Sequence, residues 1–322
     1  MLFSVIIPVY NRPDELRELL ESLTLQSYRN FEVLVIDDGS ELKSDRIAAD
    51  FSGSLQLRYF FKENSGQGYS RNMGFDLASG DYFVVFDSDC LVPPEYFSVV
   101  KKFLEERTAD FWGGPDRAHS SFSSVQKAIS FSMTSFLTTG GIRGSEGGTA
   151  GEYHPRSFNM GISREVYQKT GGYRITRMGE DIEFSIRILK SGFRAAYIKD
   201  AYVYHKRRTS LTEFFRQIHF FGRARVNIYR YWPDQLKPIH FLPLFYLIIP
   251  LFSLLLLPLT AVPLKSVLFL YGIYNFAILL EALRLQKNPV ISLLSLLAVN
   301  IQHSAYGTGL LREFWKEIQN DV

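Results

Sequence analysis

The sequence is poor in cysteine and lacks two common nucleotide-binding signatures. Its 322 residues include a single cysteine, Cys90, which excludes an intrachain disulfide framework and a multi-cysteine zinc site. No G-x-G-x-x-G motif follows the first apolar run and no P-loop pattern occurs, so a dinucleotide-binding Rossmann site is disfavoured. The first ten residues lack the basic segment and long apolar run of a secretory signal. We therefore expect the N-terminal part to stay in the cytoplasm.

Charge is distributed unevenly along the chain. Residues 1–200 contain 23 basic and 27 acidic side chains, whereas residues 201–240 contain 8 basic and 2 acidic ones. Residues 241–263 carry no charge. This distribution predicts an acidic soluble domain, a basic segment and a C-terminal part apolar enough for a membrane. Because the basic residues adjoin the apolar segment rather than the soluble domain, nucleic acid is not expected as a partner.

Short apolar runs alternate with helical patterns over the first 90 residues. The pattern predicts strands at Phe3–Pro8, Phe31–Ile36, Leu55–Phe61 and Tyr82–Phe86, with helices at Asp14–Thr24, Ser44–Phe51 and Tyr69–Leu77. A later helix at Glu180–Lys190 and a strand at Arg194–Ile198 complete the soluble part. This alternation predicts an α/β domain with a mostly parallel sheet and helices on both faces. Such sheets bind ligands at the carboxyl ends of their strands.

Residues 113–151 break the pattern because they are rich in glycine. We expect a flexible stretch that forms no core element. It is either a mobile lid over a cleft or a plain surface loop, and the sequence favours neither.

The C-terminal part contains two uncharged runs, 241–263 and 266–280. Each is long enough for a membrane helix, and Pro263–Lys265 is the predicted turn of a transmembrane hairpin. Basic residues on both outer flanks predict that the flanks face the cytoplasm. A shorter run, Val290–Ile301, is a third span or, as we favour, an interfacial helix. A buried helical domain is the alternative to the whole membrane assignment.

Two aspartates, Asp87 and Asp89, end a predicted buried strand. Buried negative charge is costly unless a cation or a hydrogen-bonding ligand offsets it. Carboxylate oxygens suit Mg²⁺ or Mn²⁺, which in turn bind diphosphate oxygens. An isolated D-x-D is often only a turn, but its place at a strand end favours a metal site.

Other polar groups follow predicted strands or begin a predicted helix. Asp38 either terminates its strand as a turn residue or binds a base or ribose. The segment Asn64–Gly68 and Arg71 bring donors and close-approach glycines to the same edge, although Arg71 can instead pair with a neighbouring acid. Glu180 and Asp181 either stabilise a helix N-terminus or supply a general base.

One further segment, His205–Arg208, follows the strand-like residues 201–204. It is either a cationic patch for lipid headgroups or, through His205 and Arg208, a binding site for a diphosphate.

Taken together and in order, these segments resemble the family 2 glycosyltransferases of the GT-A fold. The matching segments are VIIPVYNRPDEL (5–16), VIDDGS (35–40), NSGQGYSRNMG (64–74), FDSDC (86–90), RSFNMGISREVYQKTGGY (156–173), GEDIEFSIRILKSG (179–192) and VYHKRRTS (203–210). The resemblance implies a nucleotide-sugar-binding domain over 1–210. A basic juxtamembrane segment (211–240), a transmembrane hairpin (241–284) and a third membrane or interfacial helix with the tail (288–322) would follow.

The resemblance also implies roles for individual residues. Asp181 would be the catalytic base, and Mn²⁺ or Mg²⁺ would be held by Asp89 with Asp87 and His205. The residues implied in substrate binding are Pro8, Tyr10, Asp38, Asn64, Gly68, Arg71, Asp87, Asn159, Glu180 and Arg208.

The expected reaction is inverting transfer of one sugar from a nucleotide sugar, a UDP-sugar ahead of a GDP- or dTDP-sugar. The acceptor would be a lipid-linked, polyprenyl-diphosphate saccharide at the inner membrane, in surface polysaccharide synthesis. Because the Q-x-x-R-W signature of processive synthases is missing, chain extrusion is not expected. The alternatives are transfer to a polyprenyl phosphate, a non-catalytic nucleotide-sugar-binding membrane protein, and a nucleotidyltransferase that releases pyrophosphate.

Overall fold

The computed structural model of the chain describes residues 1–139 and 153–320. These residues form two compact units. The first takes in 1–119 and 153–206, and the second takes in 120–139 and 207–320. Residues 140–151 of the predicted glycine-rich stretch 113–151 lie outside the described residues.

The first unit is built on a mostly parallel sheet. Its strands are β1 (Phe3–Val9), β2 (Phe31–Asp37), β3 (Leu57–Phe61), β4 (Tyr82–Phe86), β5 (Cys90–Leu91), β6 (Phe111–Gly113), β7 (Asp116–Arg117), β8 (Asn159–Ser163), β9 (Ala195–Tyr197) and β10 (Val203–His205). Within the described residues, one sheet has the order β3-β2-β1-β4-β8-β6-β9 and a small second sheet has the order β5-β10-β7. Strands β1 to β4 are parallel, whereas β8 runs antiparallel to both β4 and β6.

Helices cover both faces of the larger sheet. They are α1 (Pro13–Thr24), α2 (Asp45–Asp50), α3 (Gln67–Leu77), α4 (Tyr96–Glu106), α7 (Arg164–Thr170) and α8 (Glu180–Lys190). Two helices that fall between α4 and α7 in the sequence, α5 (Ser124–Thr134) and α6 (Phe136–Thr139), belong to the second unit. Alternate residues of β1 point to opposite faces, so Ile7 packs in the core with Leu20 and Phe97 while Ile6 packs with Phe75 and Phe184. Both cores are apolar, which explains why the sequence pattern located β1 to β4 closely; α4, β6, β8 and α7 were not predicted.

The second unit is helical in the described residues. It contains α9 (Leu211–Tyr231), α10 (Leu242–Leu255), α11 (Val262–Gln286) and α12 (Pro289–Asn320), with 3-10 turns at Pro233–Gln235 and Pro238–Phe241. Helices α9 and α12 pack closely, since a Cβ on Gly222 would lie 2.2 Å from the carbonyl oxygen of Tyr306. Three described helices are long and apolar enough to cross a membrane: Pro238–Leu255, Val262–Gln286 and Pro289–Gln319.

Two expectations about this unit were wrong. Residues 124–134 form α5, whose Ile129, Phe131 and Met133 are buried against the C-terminal helices; their apolar spacing was overlooked beside the glycines. Pro263 is no turn residue but lies in the first turn of α11, where its missing N–H costs no hydrogen bond. The third apolar run, Val290–Ile301, is the first part of the 32-residue helix α12, and Glu313 in the polar part of α12 pairs with Arg223 of α9; whether α12 spans a membrane or lies at its surface stays a prediction.

Candidate active site

The loop after β2 is organised by two aspartates with different tasks. Asp37 is fully buried and accepts hydrogen bonds from the N–H of Ser40 (2.9 Å) and the hydroxyl of Tyr59 (2.7 Å). It is an internal anchor that holds the turn. Asp38, one residue further, faces the neighbouring loop after β3.

Asp38 uses its carboxylate to hold the loop after β3. Oδ1 accepts from Lys62 Nζ (2.6 Å) and the N–H of Ser65 (3.0 Å), and Oδ2 accepts from the N–H of Gly66 (2.8 Å). Burial alone would raise the pKa of Asp38, but these donors outweigh it and lower the pKa below its ordinary value. The predicted base-binding residue therefore also shapes the loop on which the base or ribose would lie.

The start of α3 contacts the segment that leads to α8. Asn64 donates to the carbonyl oxygen of Asp38 (2.8 Å) and accepts from Arg177 Nη2 (2.9 Å). A Cβ on Gly68 would lie 2.6 Å from the carbonyl oxygen of Ile175, so only glycine permits this approach. Two motifs that are far apart in the sequence are thereby brought side by side.

Arg71 links the D-x-D motif to the Glu-Asp motif. Its guanidinium is fully buried, donates from Nη2 to Asp87 Oδ1 (2.8 Å) and from Nη1 to Glu180 Oε1 (3.2 Å), and lies over the ring of Tyr173 (5.3 Å). Burial raises the pKa of Glu180, the charge of Asp181 raises it further, and Arg71 opposes both. Of the two predicted alternatives for Arg71, a donor to a ligand or a partner of neighbouring acids, the structure shows the pairing with acids.

Asp181 is the accessible member of the Glu-Asp pair. The side chain of Glu180 is 6% exposed and is held by Gln67 and Arg71, whereas that of Asp181 is 20% exposed. Asp181 Oδ2 lies 3.5 Å from Arg156 Nη1, and Oδ1 accepts from the N–H of Ile182 (2.8 Å) at the first turn of α8. This geometry leaves Asp181, and not Glu180, able to meet an acceptor hydroxyl.

The second aspartate of the D-x-D motif faces strand β10. Asp89 Oδ2 is 2.7 Å from Arg12 Nη1, and Oδ1 is 3.1 Å from His205 Nε2. Candidate ligand atoms of Asp89, Cys90 and His205 lie within 4.8 Å of one another.

These donors fit a divalent cation. Burial and then the nearby aspartates raise the pKa of the Cys90 thiol well above its ordinary value, so the thiol stays protonated and is a poor ligand. A cation would therefore be held by the Asp89 carboxylate with the His205 imidazole, a set that suits Mn²⁺ or Mg²⁺ better than a soft metal.

The remaining predicted residues are placed differently. Pro8 is buried within β1, while Tyr10 at the end of that strand is 48% exposed. Asn159 is buried, accepts from the hydroxyl of Tyr96 (2.5 Å) and donates to the carbonyl of Ala201 (2.8 Å), so its amide is used inside the protein. Arg208 belongs to the second unit.

Several residues that contact the predicted ones were not themselves predicted, among them Arg12, Gln67 and Arg156. Arg12 and Gln67 stand inside matched motif segments, so the motifs themselves were the available signal. Arg156 likewise opens the matched segment 156–173, although only the fold shows its contact with Asp181.

Comparison with known proteins identifies the class. The sequence matches the profile of Glycosyl transferase family 2 over residues 4–171. An uncharacterised glycosyltransferase of Haemophilus influenzae is 28% identical over 224 residues, which are 66% of this chain and 71% of that protein. Another, from Rickettsia felis, is 36% identical over 124 residues, 38% of this chain, and the match spans only 20% of that longer relative.

The fold agrees with the sequence match. The structure of a mannosyltransferase from Pyrobaculum calidifontis, in complex with GDP-Man and Mn²⁺, superposes with a TM-score of 0.62 at 18% identity, covering 98% of this chain and 87% of that one. The first unit is thus a GT-A α/β domain. The chain belongs to glycosyl transferase family 2, which confirms the predicted family and fold.

Proposed function

We propose that the protein transfers a single sugar, with inversion, from a nucleotide sugar to a lipid-linked saccharide at the cytoplasmic face of a membrane. The observation that carries this proposal is the asymmetry of the Glu-Asp pair. Glu180 is buried and held by Arg71, whereas Asp181 remains accessible at the N-terminus of α8. A general base needs that access to reach the proton of an acceptor hydroxyl.

In this mechanism Asp181 accepts the proton of the acceptor hydroxyl while the hydroxyl oxygen attacks the anomeric carbon. The bond from that carbon to the nucleoside diphosphate breaks on the opposite face, so the configuration inverts. Arg156 orients the Asp181 carboxylate at 3.5 Å. No protein nucleophile is required, in keeping with the buried, protonated Cys90.

Asp89 and His205 would hold the divalent cation, Mn²⁺ or Mg²⁺, whereas the Asp87 carboxylate accepts from Arg71 at 2.8 Å. When bound, the cation stabilises the negative charge of the leaving diphosphate. Asp38, Asn64 and Arg71 shape the loops proposed to bind the base and ribose. A UDP-sugar is the donor proposed first, ahead of GDP- and dTDP-sugars.

The proposed lipid-linked acceptor is supported by the C-terminal helices. In the apolar windows of Pro238–Leu255 and Val262–Gln286, only 6% and 11% of residues are buried, so most of these side chains remain at least partly exposed. Large exposed apolar side chains of this kind are stable in lipid. We propose that these helices lie in the inner membrane, with the basic flanks facing the cytoplasm.

The basic segment before these helices is partly neutralised within its own unit. Arg223 pairs with Glu313 (2.8 Å), and Arg230 pairs with Glu313 (3.5 Å) and with Glu317. The residues proposed to meet a lipid diphosphate are therefore those earlier in the segment, such as Arg208.

The proposal is tested with full-length protein in detergent. UDP-, GDP- and dTDP-sugars are screened for nucleoside diphosphate release with Mn²⁺ or Mg²⁺, with and without a polyprenyl-diphosphate saccharide. We expect release from one donor that requires the acceptor and is lost in Asp89→Ala. Acceptor-independent binding without release would instead identify a nucleotide-sugar-binding protein, and release of pyrophosphate would identify a nucleotidyltransferase.

A further inference from the structure

The backbone around Arg12 is fixed, and it places the Arg12 side chain next to the carboxylate of Asp89, the proposed metal ligand. Asn11 before it has a left-handed φ of 51°, donates its N–H to Ser40 Oγ (2.8 Å) and accepts from the N–H of Leu42 (3.1 Å). Pro13 after it opens α1 and restricts the backbone of Arg12. The Cα of Arg12 is thus anchored, and its long side chain carries the remaining freedom.

Arg12 and His205, which both contact Asp89, differ in how easily they can move away from it. His205 lies on β10, in register with Cys90, and its ring stacks on Phe158 at a centroid distance of 5.0 Å. The side chain of Arg12 is 33% exposed and that of His205 is 14% exposed. Arg12 can therefore leave Asp89 without disturbing a packed ring or a strand.

The positive charge of Arg12 lies where a cation on Asp89 would have to approach. Its Nη1 donates a charge-assisted hydrogen bond to Asp89 Oδ2 at 2.7 Å. This bond occupies a lone pair of Oδ2 that would otherwise be available to coordinate a metal ion. Two positive charges about 4 Å apart repel even at a partly solvated site.

We propose that Arg12 and the divalent cation compete for Asp89, so that Arg12 weakens cation binding until it is displaced. The inference rests on the proposed metal role of Asp89 and makes Arg12 a positioning residue for that carboxylate. In the cation-free protein Arg12 offsets the charge of Asp89. Once displaced, it is a free guanidinium at the edge of the site where the anionic donor is proposed to bind.

The test is a Mn²⁺ titration of the full-length protein in detergent without nucleotide, with free Mn²⁺ measured by electron paramagnetic resonance. We expect Arg12→Gln to tighten Mn²⁺ binding about tenfold, because one nearby positive charge is removed. Arg12→Lys keeps the charge and should stay close to the parent protein. Arg12→Met serves as a second neutral variant if Arg12→Gln does not fold.

Arg17→Gln is the matched control. Arg17 lies on the same helix and also pairs with an aspartate, Asp50, at 2.7 Å, but on an exposed face. Arg17→Gln changes the net charge by the same amount as Arg12→Gln and should leave Mn²⁺ affinity unchanged. Adding Asp89→Asn to Arg12→Gln should abolish the gain.

The competition is refuted if neutral variants at Arg12 bind Mn²⁺ no more tightly than the parent, if Arg17→Gln tightens binding equally, or if the gain survives Asp89→Asn. Sugar transfer is measured separately on the same samples. Tighter binding without any transfer would leave the competition standing and reject the proposed function. Transfer that depends on Asp181, with unchanged Mn²⁺ affinity in Arg12→Gln, would support the proposed function and reject the competition.

Discussion

Replacing Arg71 by leucine is expected to destabilise the first unit strongly. Its guanidinium is fully buried between Asp87 and Glu180, and Glu180 is itself nearly inaccessible. Without Arg71, the Glu180 carboxylate must either stay buried unpaired or take up a proton. Breaking one side of a buried pair costs about 3–5 kcal/mol, which lowers the Tm of a domain of this size by about 10 °C.

The matched control is Arg58→Leu. Arg58 Nη2 is also 2.8 Å from a buried glutamate, Glu32, but its own side chain is 42% exposed. Glu32 keeps hydrogen bonds from the hydroxyl of Ser4 and the N–H of Ser79 after the change. We expect a loss of about 1 kcal/mol or less, as for partly exposed ion pairs.

Thermal unfolding is followed by the fluorescence of Trp112, which is fully buried in the first unit. The other two tryptophans, Trp232 and Trp315, lie in the second unit and are replaced by phenylalanine in every variant. The reasoning is refuted if Arg71→Leu lowers the Tm no more than Arg58→Leu. It also predicts that a variant with Glu180→Met in addition recovers part of the loss, since no buried charge is then left unpaired.

Three further predictions concern Asp38, Gly68 and Cys90. The pKa of Asp38 is lowered in the folded state, so the stability that this carboxylate contributes is complete above its ordinary pKa of 3.8 and is lost as the pH falls below that value. Asp38→Asn should therefore be less stable than the parent at pH 6, and its Tm should fall less between pH 6 and pH 3. A fall in Tm equal to that of the parent would contradict this. Gly68→Ala should reduce both sugar transfer and stability, because the new Cβ would lie 2.6 and 2.9 Å from backbone atoms of the facing segment. In the same assays Gly53→Ala should change neither transfer nor stability, because no atom lies within 4 Å of its new Cβ. The Cys90 thiol should resist iodoacetamide at pH 8 until urea unfolds the protein; rapid labelling of the native protein, detected by mass spectrometry, would show that the thiol is not buried.

The first four strands and helix α8 were predictable because their apolar spacing is strong, whereas α4, β6, β8 and α7 were not predicted. The strand at Phe31–Ile36 and the helix Glu180–Lys190 were placed to within one residue, since each buries a regular face or a continuous run. In contrast, β5 and β7 have two residues each and are defined by pairing with β10, which no local pattern records. Helix α5 was missed because its apolar residues find their partners only in the C-terminal helices.

The candidate site divides in the same way. Motif order identified Asp89, Asp181 and His205, and the structure brings Asp89 and His205 together. The contacts that position them were not predictable, because Arg12 and Arg156 reach their aspartates across long sequence separations. A motif gives the residue types that the chemistry needs, but the side chains that hold them are chosen by the fold.

The most direct test of the central claim is single-turnover sugar transfer by Asp181→Asn, measured beside donor binding on the same protein. Asparagine keeps the size of the side chain and its place at the start of α8 but cannot accept the proton. We predict that transfer falls by at least about a hundredfold while donor affinity stays within about twofold, and that Asp200→Asn, an exposed carboxylate of the same unit, changes neither. Transfer at the parental rate by Asp181→Asn, or loss of donor binding in place of turnover, would contradict the assignment of Asp181 as the base.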